Sequence, residues 1–147
     1  MQLAHADDTA YGVITISQVA GVAAYEFADA WLERFLAHLR RQRDHAVARL
    51  NAIPYVRCST PEGTFVAFPD VSRLGVAQDE LCARLLDRHG LAVIPGSPAF
   101  FGPGAAGHIR LSFATSRAIH TEALTRLERG IDAVRDTQAT PASRRAS

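Results

Sequence analysis

One arginine in this 147-residue chain stands where it could do chemistry. Arg110 lies in the run Gly107-His108-Ile109-Arg110-Leu111-Ser112-Phe113-Ala114. Apolar Ile109, Leu111 and Phe113 alternate with polar His108, Arg110 and Ser112, the period-two pattern of a strand with one face on a core. The pattern puts Arg110 on a rigid element, on the face opposite the apolar residues. A planar guanidinium held there can take a carboxylate through two parallel hydrogen bonds. A solvated surface arginine is the commoner use of such a position, so the strand pattern by itself leaves both uses open.

The other reactive side chains form no complete catalytic set. All 16 basic residues are arginines, so the chain has no lysine and no side-chain amine for a Schiff base. His38 and His45 are seven apart, but no acid or cysteine accompanies them at ligand spacing, so no metal site is read. Cys82 sits among leucines, as a core residue would. The glycine-rich stretch from Phe101 to Gly107 leads into a strand, whereas a phosphate cradle leads into a helix N-terminus. Nothing resembles a nucleophile elbow.

Composition narrows the class. The hydrophobic fraction is 48% and the charged fraction 21%, as in a soluble globular domain with a real core. A net charge of +1 gives no strong field for nucleic acid or an anionic membrane. No apolar run is long enough to span a bilayer, and the first residues do not read as a secretory signal. Cys58 and Cys82 are far apart in sequence, which suits reduced thiols in the cytoplasm better than a disulfide framework. The cluster Arg40-Arg41-Gln42-Arg43 reads as a solvated helix face, because no aromatic stacking set accompanies it.

The elements that would position Arg110 follow from periodicity. Residues 1–16 form a lead-in, with helical character from Ser17 as N-cap. A long helix is expected over 28–51, with Trp31, Leu32, Phe35, Leu39, Ala46, Val47 and Leu50 on its apolar side. Strands are expected at 64–68, 91–94 and 107–114, and a helix over 78–89 with Leu81, Leu85 and Leu86 inward and Gly90 as its cap. A last helix runs from Thr115 or Ser116 to about Arg135, with Ile119, Ala123, Leu127, Ile131 and Val134 as its stripe and a Glu122–Arg126 pair. Residues 136–147 read as a disordered tail. The expected class is α+β: a small, mostly antiparallel sheet with helices packed on one face, preceded by a long helix.

Four blocks in this order carry a family resemblance: Leu50-Asn51-Ala52-Ile53-Pro54, Pro61-Glu62-Gly63-Thr64-Phe65-Val66-Ala67-Phe68-Pro69-Asp70, Val93-Ile94-Pro95-Gly96-Ser97 and His108-Ile109-Arg110-Leu111-Ser112-Phe113-Ala114. From about Ser17 to Val134 the chain resembles the C-terminal small domain of class I/II aminotransferases, fold-type I enzymes that use pyridoxal phosphate (PLP). The resemblance implies that residues 17–135 are that domain and that Arg110 binds the α-carboxylate of an amino-acid or 2-oxo-acid substrate. It also implies that a large domain carrying the Schiff-base lysine is missing, that PLP belongs to the complete enzyme and does not attach covalently here, and that the complete enzyme is a homodimer. The chain would then be a truncated, split or fragmentary piece, inactive alone. The segment from Ala24-Tyr25 through Trp31-Leu32 to Arg43-Asp44 is also similar to the related carbon–sulfur β-lyases acting on cystathionine-like substrates. A non-catalytic carboxylate-binding module and a non-functional remnant are the remaining alternatives.

Overall fold

The structure is a computed structural model and describes residues 14–139. The chain divides into two compact units, residues 1–38 and residues 39–147. In the first, helix α1 (Thr15–Phe27) starts two residues before Ser17. The Ile14 carbonyl accepts from the N–H groups of Ser17 and Gln18, so backbone rather than a serine side chain opens the helix. None of the residues of α1 is buried, and Tyr25 and Phe27 are 91% and 81% exposed.

Helix α2 (Asp29–Ala52) matches the expected long helix to within one residue at each end. Asp29 in its first turn and Arg49 in its last suit the helix dipole. Its expected apolar side divides. Trp31 and Leu32 are exposed, and Trp31 stacks on Phe35 one turn on, at 5.0 Å between ring centroids. In the second unit Gln42, Ala46 and Leu50, each four apart, are buried instead.

The second unit holds a three-stranded sheet: β1 (Val66–Ala67), β2 (Ile94–Pro95) and β3 (Ile109–Ser112), in the order β1-β3-β2 with both pairings antiparallel. The last strand in sequence is therefore the central one. Its Ile109, and Phe113 just after it, are buried with Ala67 against Leu81 and Leu85 of α3 (Gln78–His89) and Leu124, Leu127 and Ile131 of α5 (Arg117–Ala139). Fully burying a side chain of this size contributes about 1.5–3 kcal/mol. This is the α+β arrangement that the alternation and the helix patterns imply.

Helix α3 has the expected bounds. Gly90 caps it at φ 60°, and its N–H bonds the Leu86 carbonyl at 3.1 Å. Leu86 itself is 54% exposed, because only Leu81, Cys82 and Leu85 face inward. The 91–94 strand is shorter than expected. The Leu91 N–H turns back to the Leu85 carbonyl at 3.0 Å, so the run meets β3 only at Ile94 and Pro95. The loop before β3 contains a single turn, α4 (Pro98–Phe101), and a 3-10 turn at Pro103–Ala105, each with proline at its start.

In α5 the buried stripe is His120, Leu124, Leu127, Ile131 and Val134. Ile119, expected inward, is 63% exposed. Taking His120 as the first inward position preserves the alternating four- and three-residue steps, so the helix phase overrides local hydrophobicity. The expected Glu122–Arg126 pair forms at 2.9 Å. The helix continues through Asp136 to Ala139, into the segment read as tail; residues 140–147 lie outside the described residues.

Candidate functional site

The register of the sheet fixes what stands beside Arg110. Val66 opposes Ser112, Ala67 opposes Leu111 and, further along, Asp70 opposes His108, all in one antiparallel register. That register puts Phe68 opposite Arg110. On the other side Ile94 opposes Arg110. Residues directly opposite share a sheet face, and so do residues two apart in one strand. Arg110, Phe68, Ile94, His108 and Ser112 therefore share the face turned away from Ile109 and Phe113. Those two are 0% and 1% exposed, whereas Arg110 is half-buried and Ile94 is 47% exposed.

The Arg110 side chain has no hydrogen-bond or ion-pair partner among the described residues. Arg43, Arg49, Arg84, Arg126 and Arg135 all have carboxylate partners. Arg49 is doubly bonded to Glu128, at 2.7 and 2.6 Å, and so joins α2 to α5. A guanidinium fixed on a central strand with its five donors free can take an anion, above all a carboxylate in the bidentate manner. Arg110 also borders a cavity of about 310 Å3 between the 91–94 segment and α5. Its walls are mainly apolar, with Leu91, Val93 and Ile119, and its polar contributors include Thr115 and His120.

Two glycines hold the strand's approach. Gly107 has φ 76°, and a β-carbon there would meet Ser72 Cβ at 2.7 Å. Its carbonyl accepts from the Val71 N–H at 2.8 Å, which seats the start of β3 on the turn beside Asp70. Asp70 Oδ1 accepts from the Ser72 N–H at 2.8 Å. Hydrogen bonding by the Ser72 side chain holds the Asp70 carboxyl below its ordinary range, aided by the Ser72 backbone and by the charges of His108 and Arg73. Gly96 lies where a β-carbon would come within 2.3 Å of the Ala105 carbonyl oxygen and 2.8 Å of that of His108.

A second polar cluster lies where α2 meets α5, and sequence reading gave it no role. His120 is 1% exposed, and neither ring nitrogen has a partner; Gln42 Oε1 is likewise buried without one. His45 meets His120 edge-on, with centroids 5.6 Å apart. Burial first, then the nearby His45, Arg117 and Arg49, pushes the His120 pKa down to about 4. The only sequence signal was a histidine occurring at the core phase of a helix.

Lysine is absent from the whole sequence, so these residues cannot hold PLP through a Schiff base. Among the described residues, nothing in the Arg110 face substitutes for that amine.

Comparison with known proteins agrees with the fold. The sequence pattern of the family "Aminotransferase class I and II" matches residues 2–127. The aspartate aminotransferase of Pyrococcus horikoshii is 30% identical over 122 residues, covering 82% of this chain and 31% of the relative. A protein of Mycobacterium tuberculosis named "Putative cystathionine beta-lyase" is 32% identical over 142 residues, covering 85% and 34%. The solved "PLP-bound putative aminotransferase" of Clostridium difficile 630 superposes with a TM-score of 0.74 at 34% identity, covering 80% of this chain and 30% of that one. The chain thus spans about a third of the length of the relatives it matches. With the match extending over most of the sequence and the sheet built around the strand that carries Arg110, the chain belongs to the class I and II aminotransferase family.

Proposed function

We propose that this chain is the C-terminal part of a PLP-dependent aminotransferase, moving amino groups between amino acids and 2-oxo acids, and that Arg110 binds the substrate's α-carboxylate. The observation that carries the reading is the unpartnered guanidinium of Arg110 on the open face of the central strand. A bidentate grip there fixes the orientation of the acid, and fixed orientation is a large part of what a substrate-binding site contributes to rate. PLP supplies the chemistry at the α-carbon in a complete enzyme. This chain has no lysine to hold PLP covalently, so that attachment falls to the rest of the complete enzyme. Alone, the chain binds the acid and does not transform it. The complete enzyme works as a homodimer in the cytoplasm; among the described residues no helix is long and apolar enough to cross a membrane.

The 32% identity to the M. tuberculosis protein favours a second reading, a carbon–sulfur β-lyase with the same carboxylate grip. A chimera separates the two. The part of the P. horikoshii aspartate aminotransferase that precedes the matched region is fused to this chain and assayed with PLP. Transamination that falls about a hundredfold in Arg110→Gln is expected. Release of pyruvate and ammonia from cystathionine, without transamination, would favour the lyase. Activity indifferent to Arg110→Gln would overturn the role of Arg110 in either.

A further inference from the structure

We propose that Phe68, with its ring partners His108 and Phe101, forms a wall beside Arg110 that favours an apolar side chain on the bound acid over a second carboxylate. The proposal rests on the reading of Arg110 as the carboxylate ligand and names the substrate class of that site.

Three observations support it. Arg110 is flanked in register by apolar residues on both sides, Phe68 from β1's continuation and Ile94 from β2, and Ile94 is 47% exposed. The Phe68 ring is pinned: it stacks on His108 at 5.2 Å and 9° and tilts against Phe101 at 5.6 Å. Gly96 makes room for it, since a β-carbon there would lie 3.1 Å from Phe68 Cζ. A ring held on several sides presents a fixed apolar surface with little entropy left to lose on contact.

The third observation is electrostatic. Asp70 opposes His108, and so stands on the same face, one row along from Arg110. Hydrogen bonds from Ser72 keep its carboxyl ionised. Asp70 thus adds a negative charge, not a cation, to the face on which a second carboxylate would have to be received. An acid gripped by Arg110 meets the phenyl of Phe68 and the sec-butyl group of Ile94 at its flanks and a negative charge beyond them. Contact with the first and repulsion by the second act in the same direction, against a second carboxylate.

The test is an NMR titration of the 147-residue chain with pyruvate, 4-methyl-2-oxopentanoate and 2-oxoglutarate, repeated in Phe68→Leu and Arg110→Gln. Melting curves verify that each variant is folded. Affinity about fivefold higher for 4-methyl-2-oxopentanoate than for 2-oxoglutarate is expected, with that preference reduced in Phe68→Leu. Equal or tighter binding of 2-oxoglutarate, still lost in Arg110→Gln, would overturn the wall and leave the carboxylate grip intact. Binding of all three acids that survives Arg110→Gln, or no binding of any, would overturn the grip and the wall together.

Discussion

Arg110, half-buried, and His120, buried, both carry side-chain polar groups without partners, and the two groups behave in opposite ways. Arg110 offers unpaired donors, which the proposed function assigns to an anion. His120 gives its charge up, because burial first, and then neighbouring His45 and the charges of Arg117 and Arg49, disfavour imidazolium. Its folded pKa, about 4, lies below the unfolded value of 6.5, so the unfolded chain binds the extra proton first. The contribution of neutral His120 to stability is therefore complete above about pH 6.5 and is lost as the pH falls towards 4, at roughly 1.4 kcal/mol per pH unit. Urea midpoints measured across that window should fall with pH in the wild type and fall less steeply in His120→Leu; equal slopes would contradict this assignment. Arg110 was legible in the sequence because alternation in a strand assigns faces unambiguously. His120 and Gln42 were not, since a polar residue at a core phase looks like a break in the apolar stripe until the partner helix is in place.

At the level of elements, the central strand is set by its neighbours' backbones rather than by its own length. Gly96 is the clearest case. A β-carbon there collides with two carbonyl oxygens, which cannot rotate away as a side chain can. Gly96→Ala should cost about 2 kcal/mol in urea denaturation and disturb the Phe68–His108 stack; an unchanged midpoint would show that the approach is looser than the contacts imply. Helix α3 and its Gly90 cap could be read directly, since a leucine repeat ending at a glycine with φ above zero is a local signal. The true extent of β2 could not. Whether Leu91–Val93 pairs with β3 depends on the Leu91 N–H choosing the Leu85 carbonyl, a tertiary contact with no sequence mark. The exposure of Ile119 has the same origin: α5 is rotated by what α2 and α3 present to it.

Across the whole molecule, the family was legible because four short blocks fall in register, and the match over residues 2–127 agrees with them. The same breadth shows what a third of the relatives' length can hold: a core and a central strand that carries Arg110, without a lysine. The central claim is that this third keeps its hold on the substrate's carboxylate. The most direct measurement is calorimetric titration of pyruvate into the chain and into Arg110→Gln. Saturable one-to-one binding in the wild type, abolished in the variant with its melting temperature retained, is the expected result. Binding of equal affinity in both, or none in the wild type, would contradict it.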